Sequence, residues 1–224
     1  MLATTKVQRF LDLLEREVAA YRVPVVDLIA VQTADPYRVL VATILSSRTK
    51  DDVTAAASTR LFARAPDVHE LMALTEKDIR ELIYPVGFYQ TKARHLVATA
   101  ALLIQRYAGC VPQTIEELVC LPGVGRKTAN LVLAVAFGIP AICVDTHVHR
   151  IMNIWGYTKT RTPYETEMAL RKKLPEACWI KVNRLLVAFG QKICKPVAPC
   201  CDICLLEQDC ARIGVKPRKR DKGR

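Results

Sequence analysis

The amino-acid sequence predicts an all-α fold on three observations. Apolar residues recur at helical spacing along most of the 224 residues. Segments that begin at Thr75, Thr114 and Thr162 carry an acidic residue three positions later, which is typical of a capping box at a helix N-terminus. Alternating strand patterns joined by Asn-Gly or Asp-Gly turns are absent. The pattern therefore predicts about ten helices.

The first helix is predicted over residues 7–21, because its apolar residues form one stripe: Val7, Phe10, Leu11, Leu14 and Val18. Pro36 opens the second, and Pro163 stands at the first position of the helix that Thr162 caps. Two further helices follow Thr75 and Thr114. The helix that Pro36 opens covers residues 37–45, and the others are predicted over residues 51–63, 89–107, 126–137, 146–155 and 180–193.

The chain is strongly basic, with 33 Lys and Arg against 22 Asp and Glu and a formal net charge of +11. Such an excess predicts a polyanionic partner, since cationic side chains release counterions from a phosphate backbone; a charge that serves solubility is the alternative. Charged residues interrupt the first 21 positions, and no apolar run approaches the length of a membrane span. We therefore expect a soluble, intracellular protein without a disulfide framework.

A glycine-rich segment over residues 121–130 separates two predicted helices. Gly123 and Gly125 flank Val124, which we expect to hold the turn against the core, and Arg126 follows. Two glycines permit a tight turn and a close approach to another molecule, and the next helix presents free N–H groups to a phosphate. A plain corner between two helices is the alternative. A Walker A loop is rejected, because Arg126 stands where that motif needs glycine before Lys127.

Lys127 is predicted in the first turn of the helix that follows this segment. The positive end of a helix disfavours an added ammonium charge, and a neutral amine is the form that a nucleophile needs. Asp145 follows an apolar run and precedes a helix, where a carboxylate could stabilise a cationic sugar. A phosphate contact and an N-cap are the respective alternatives. His147 and His149, two positions apart, are not predicted to share a metal.

Four cysteines near the C-terminus have the spacing of a metal centre: Cys194, Cys201, Cys204 and Cys210. Both zinc and a cubane iron–sulfur cluster accept four thiolates, so the spacing leaves the two open. Cys200 is interpreted as a spare thiol. Lys192 and Lys195 flank the first ligand and could face phosphates. The remaining cysteines have apolar neighbours and are predicted to be core residues: Cys110, Cys120, Cys143 and Cys178.

The glycine segment, the aspartate and the four cysteines together resemble, in order and spacing, the endonuclease III family of helix–hairpin–helix DNA glycosylases. The resemblance runs from about Pro36 to Cys210. It implies two helical domains that flank a DNA-binding cleft, residues 29–139 as a six-helix barrel and residues 1–28 with 140–213 as a cluster domain. Residues 214–224 would form a basic tail. It also implies a C-terminal [4Fe-4S] cluster loop and double-stranded DNA with a damaged base or abasic site as the partner.

By resemblance, Lys127 is the nucleophile that forms a Schiff base, and Asp145 is its carboxylate partner. The lysine favours a glycosylase with abasic-site lyase activity on oxidised pyrimidines. Phe88 matches the position of an apolar wedge that enters the duplex, although a core phenylalanine is the alternative. Arg48 stands where the family usually has glutamine, so no base-pair preference is carried over. The resemblance also implies contacts with DNA by Gly123, Val124, Gly125, Arg126 and His147.

Other functions are weighed against this one. A thymine or uracil mismatch glycosylase of the same superfamily would share the layout, but the adenine-excising and some of the mismatch branches lack the lysine. A non-catalytic DNA-binding protein that senses redox state has no need of Lys127, and a ferredoxin has no need of a large basic body. The expected protein is a monomer without membrane contact, in the cytoplasm or nucleoid of a prokaryote.

Overall fold

The computed structural model describes residues 2–18 and 25–216, and within these the regular structure is helical, with no strand. The helices are α1 Thr4–Val18, α2 Val25–Thr33, α3 Pro36–Ser46, α4 Asp51–Arg64, α5 Val68–Ala73, α6 Glu76–Ile83, α7 Tyr89–Tyr107, α8 Ile115–Leu118, α9 Arg126–Phe137, α10 Thr146–Ile154, α11 Pro163–Lys173 and α12 Trp179–Lys192. Short 3₁₀ turns occur at Glu176–Cys178 and Cys201–Ile203. The predicted all-α class is confirmed.

The chain divides into two compact units. One comprises Met1–Arg22 and Ile142–Arg224, and the other is Val23–Ala141. The predicted domain boundaries differ slightly from these units. The sequence assigns residues 23–28 and 140–141 to the domain that contains the chain ends, whereas the structure assigns them to unit Val23–Ala141. Their functional division stays a prediction, as does the basic tail, because residues 217–224 lie outside the described part of the chain.

Unit Val23–Ala141 holds α3 to α9 around one apolar core, and α2 packs on α3 in a smaller apolar cluster. α3 lies against α2, α4, α7 and α9, while α7 also packs on α5 and α6. Side chains cap the starts of two of these helices. Asp35 accepts a hydrogen bond from the Tyr37 backbone N–H at 2.9 Å at the start of α3, and Thr75 and Asp78 form a complete capping box at the start of α6. α8 packs on α9, so the glycine segment between them is held from both sides.

Unit 1–22 with 142–224 is built on α12, which packs against α1 and α10. All five residues of the predicted stripe in α1 are buried. The Phe10 ring meets Trp155 edge to face, with ring centroids 5.0 Å apart. Lys181 on α12 pairs with Asp12 and Glu15 on α1, which fixes the register of the two helices at the surface. α12 ends where the cysteine loop begins.

Two helices were not predicted, α2 and α5. α5 is six residues long and depends on its cap, because the Asp67 side chain accepts from the backbone N–H groups of His69 and Glu70. The predicted end of the first helix, at residue 21, falls outside the described residues. In the described part of the chain, no helix combines the length and the apolar character that a membrane crossing requires.

Candidate active site

The glycine segment forms a tight turn between α8 and α9. Val124 is 6% exposed, and its N–H donates to the Leu121 carbonyl at 3.0 Å. The hydroxyl of Thr99 on α7 donates to the Pro122 carbonyl at 3.1 Å, which holds the turn to a third helix. The predicted role of Val124 in anchoring the turn to the core is confirmed.

The two glycines serve different needs. Gly123 has φ +80°, and a Cβ atom there would lie 2.7 Å from Nδ1 of His95. The fold therefore requires glycine at this position. Gly125 has φ −90°, and a Cβ atom would meet nothing within 4 Å in the described structure. Glycine is among the residues favoured at an N-cap, and the open space around it leaves room for another molecule to approach.

Lys127 is an exposed residue in the first turn of α9. Gly125 is the N-cap residue and contributes no side-chain hydrogen bond to this helix end. The first N–H groups of α9 therefore depend on partners outside the helix. Arg126 precedes Lys127 and is half-buried. Lys127 thus lies beside an uncapped, exposed helix start, as the sequence predicts.

Asp145 is the N-cap of α10 and is half-buried. Its Oδ1 accepts from the backbone N–H groups of His147 and Val148, each at 2.9 Å. Within the described residues no hydrogen bond ends on Oδ2. Oδ1 alone therefore caps the helix, and Oδ2 takes no part in the cap. Asp145 belongs to the unit that contains Ile142–Arg224, and Lys127 to Val23–Ala141.

His147 is fixed by a close contact with α12. A Cβ atom at Gly190 would overlap Nδ1 of His147, so glycine inside this helix makes room for the imidazole. Arg150 lies 3.2 Å from the same nitrogen, and it donates to the Cys194 carbonyl at 2.6 Å. Sequence reasoning missed Gly190 and Arg150, although a glycine in a helix interior is itself a signal of close packing.

The four C-terminal cysteines line one cavity together with apolar residues that include Trp155, Phe189 and Leu206. The cavity encloses about 380 Å³ without protein atoms, part of it open to solvent. The four thiols interact electrostatically with one another, and burial raises the pKa of Cys194 to about 12. The structure thus brings together the residues that the sequence singles out.

Backbone groups turn toward the sulfur atoms of this loop. The Leu206 N–H lies against Cys204 and the Arg212 N–H against Cys210. Burial raises the pKa of both thiols, and each backbone hydrogen bond partly offsets that rise. Hydrogen bonds of this kind stabilise thiolates that bind metal. Within the described residues, no three His, Cys, Asp or Glu side chains are placed to hold a single metal ion.

The other cysteines divide in two. Cys143 and Cys178 are buried, as predicted, but the prediction for Cys110 and Cys120 is wrong, because both are exposed. Cys110 follows the turn after α7 and Cys120 lies in the turn after α8, and in each case the next residue, Val111 or Leu121, is buried while the cysteine is not. Cys200 is half-buried and also lines the cavity. Lys192 and Lys195 are exposed at the start of the loop.

Arg48 and Phe88 lie side by side in unit Val23–Ala141. Phe88 is 63% exposed, so the alternative of a core phenylalanine is wrong. The guanidinium carbon of Arg48 lies 5.6 Å from the centroid of the Phe88 ring, which is the geometry of a cation–π contact. An exposed aromatic ring with a cation over it is suited to stack on bases.

The chain is similar to known DNA repair proteins. Residues 41–176 match the HhH-GPD superfamily of base excision DNA repair proteins. Endonuclease III of Thermotoga maritima is 49% identical over 164 residues, which cover 73% of this chain and 75% of that protein. Endonuclease III-like protein 1 of Mus musculus is 50% identical over 154 residues, 67% of this chain and 51% of that protein.

A solved structure extends the likeness to the fold. A trapped covalent intermediate of endonuclease III with DNA, an estranged-adenine complex, superposes with a TM-score of 0.82 at 32% identity. The match covers 95% of this chain and 97% of that one.

The contrast between the two glycines is testable. Gly123→Ala should lower the free energy of unfolding by about 1–3 kcal/mol, because alanine strains at positive φ and displaces His95. Gly125→Ala should cost less than about 1 kcal/mol yet weaken binding to duplex DNA, because its Cβ atom stands where a phosphate approaches. Urea unfolding and a fluorescence anisotropy titration measure the two effects. Unchanged DNA affinity in Gly125→Ala would contradict the close approach.

Proposed function

This chain belongs to the endonuclease III family of the HhH-GPD superfamily and is a base-excision DNA glycosylase, and we propose which of its residues act on the DNA and which lesion it removes. In this proposal Lys127 is the nucleophile of a glycosylase that also cleaves abasic sites, and oxidised pyrimidines are its substrates. The observation that carries it is the exposed Lys127 amine beside the uncapped start of α9.

The chemistry proposed for Lys127 has two stages. The neutral amine attacks C1′ of the damaged nucleotide, the C1′–N bond breaks, and the departing base takes a proton from solvent. Asp145 accepts the proton that the attached amine loses and passes it to O4′ as the sugar ring opens, which leaves an iminium ion between Lys127 and C1′. Loss of a C2′ proton expels the 3′ phosphate, so the strand is cut by β-elimination. The helix start beside Lys127 offers N–H groups to a phosphate of the same strand.

Asp145 is proposed as the carboxylate that stabilises the cationic sugar and assists proton transfer. Support comes from its two oxygens, since Oδ1 receives both backbone hydrogen bonds of the cap. These bonds orient the carboxylate at the start of α10. A capping role and a chemical role are compatible in one residue.

Oxidised pyrimidines are preferred over mismatched thymine or uracil as substrates, because Lys127 equips the enzyme for strand cleavage and the relatives are endonuclease III proteins. A redox-sensing DNA-binding protein without catalysis would leave Lys127 and Asp145 unexplained. Flipping of the damaged nucleotide leaves a gap in the stack. Arg48 and Phe88 are proposed to fill that gap and to contact the opposite base.

Cys194, Cys201, Cys204 and Cys210 are proposed to hold a [4Fe-4S] cluster. The donor set fits, because four thiols line one largely apolar cavity and two of them face backbone N–H groups. When bound, the cluster would supply a structural anchor for the loop, and it takes no part in the steps at Lys127. Lys192 and Lys195 at the start of the loop would then be held ready to contact phosphates.

The partner in this proposal is duplex DNA that contains a damaged base or an abasic site, bound by a monomer in the cytoplasm or nucleoid of a prokaryote. Arg126, His147 and the backbone of Gly123 to Gly125 are proposed as further contacts. His147 is the best supported of these, because Gly190 and Arg150 fix its imidazole.

Borohydride should trap a covalent complex between the protein and DNA that contains an oxidised pyrimidine. Lys127→Gln should abolish it, and Lys127→Arg should too, since a guanidinium keeps the charge but is not a nucleophile. Lys77→Gln, a change at another exposed lysine of the same unit, is the matched control and should trap normally. Trapping that survives both changes at Lys127 would remove it as the nucleophile.

Asp145→Asn should lower the single-turnover rate of base excision by about 10²–10⁴-fold with little loss of stability. Asparagine retains a side-chain oxygen for the two N–H groups, so the cap remains. Asp67→Asn is the control, because Asp67 Oδ1 also accepts two backbone N–H groups at a helix start. Rapid-quench kinetics and thermal unfolding separate the effects, and normal turnover in Asp145→Asn would leave Asp145 a cap alone.

The purified protein should be yellow-brown and contain iron and sulfide in equal amounts. Cys204→Ser should lose both and unfold at a lower temperature, because a thiolate ligand is removed. Cys200→Ser should keep them, although Cys200 lies in the same cavity. A colourless protein that contains zinc would contradict the cluster assignment. Metal analysis and visible absorption spectra decide between the two.

A further inference from the structure

Lys92 of α7 is a buried lysine that sequence reasoning did not single out. Its side chain is 6% exposed. In the described part of the chain its Nζ pairs with no carboxylate and donates to the carbonyls of Leu45 and Ser47, at 2.8 and 2.6 Å, and to Oγ1 of Thr49 at 3.2 Å. An ammonium group has three donors, and all three are used on the last turn of α3 and the segment that follows it.

Thr49 connects this segment to a second one. Its Oγ1 accepts from Lys92 and also from the Gly87 backbone N–H at 3.2 Å, and it donates to the Ser47 carbonyl at 3.2 Å. The hydroxyl thus uses its one donor and both acceptor positions. A Cβ atom at Gly87 would lie 2.5 Å from the Arg48 carbonyl oxygen. The two segments therefore touch through their backbones.

The residues held by these contacts are Arg48 and Phe88. Arg48 lies between two acceptors of the Lys92 network, and Phe88 follows Gly87 directly. Both have left-handed backbones, with φ +52° and +58°. Both side chains are exposed, and the guanidinium lies over the ring. Two non-glycine residues with positive φ in adjacent segments need surrounding contacts to persist.

Burial of Lys92 costs free energy, which lowers its pKa from 10.5 to about 8. Lys92 still carries its proton at neutral pH and can donate all three hydrogen bonds. A lysine is rarely buried without a carboxylate partner, because burial of an unpaired charge costs stability. The three hydrogen bonds of Lys92 to the end of α3 and the exposed turn after it point to a role in shaping that turn.

We propose that Lys92 and Thr49 are positioning residues that hold Arg48 and Phe88 as one preassembled unit for the gap left by the flipped nucleotide. This inference rests on the proposed function. An arginine and an exposed phenylalanine lose conformational freedom when they enter a duplex, and a unit ordered in advance lowers that cost. Neither Lys92 nor Thr49 touches the reacting atoms in this proposal.

Thr49→Val tests the inference with little change of shape, because valine replaces the hydroxyl with a methyl group. It should lower the single-turnover rate of excision from duplex DNA by about tenfold, which is within the coupling range of residues in contact. Thr49→Ser should restore that rate. Thr59→Val is the matched control, since the Thr59 hydroxyl is exposed and bonds only within α4. Lys92→Met should act in the same direction as Thr49→Val.

A double-mutant cycle distinguishes positioning from general stability. When Arg48 and Phe88 are both alanine, Thr49→Val should change the excision rate by less than about twofold, because nothing remains to be positioned. A tenfold loss that persists in that background would overturn the proposal. So would a normal rate in Thr49→Val and Lys92→Met when both variants are folded.

A second substrate separates this inference from the proposed function. Single-stranded DNA with a preformed abasic site has no opposite base and no gap to fill, so Thr49→Val should cleave it within about twofold of the unaltered protein. Equal losses on both substrates would overturn the positioning role. If the unaltered protein neither cleaves nor is trapped on both substrates, the proposed function itself would be overturned.

Discussion

The backbone N–H groups at the start of a helix need partners, and this constraint shapes the candidate site in both units. At α10 the need is met within the protein, because Asp145 accepts two N–H groups on one oxygen. At α9 the N-cap is Gly125, which has no side chain to offer. One helix start thereby orients a carboxylate, and the other leaves donors beside an exposed lysine. The same chemical requirement orients the carboxylate that we propose as catalytic in one case and leaves N–H groups for the proposed phosphate contact in the other.

Glycine is used in this chain for three separate purposes. Gly123 permits a positive φ next to His95, Gly190 makes room for His147 inside a helix, and Gly87 lets two backbone segments touch. Each position would exclude a Cβ atom for a reason found within one unit. Gly125 is the exception, since open space surrounds it. Glycine suits this position as the N-cap of α9, and the open space is the basis of the proposed contact with DNA.

Local signals in the sequence predict much of the fold. The stripe in α1 is buried, and the capping box at Thr75 is complete. α5 escaped prediction because it is a single short turn whose stability comes from its Asp67 cap and from packing on α7. The exposed Cys110 shows the converse, because apolar neighbours in the sequence do not determine which way a loop residue faces.

The Lys92 network could not be predicted for a related reason: the residues it joins are 43 to 47 positions apart in the sequence. Two of its three acceptors are backbone carbonyls, and Thr49 supplies the third. The hydrogen bonds that hold the backbone on either side of position 48 therefore do not involve the side chain at that position. Another residue there could be held in the same position, as the glutamine usual in this family would be. The turn can thus keep its geometry while its exposed side chain changes, which would separate the proposed recognition of the opposite base from the proposed chemistry at Lys127.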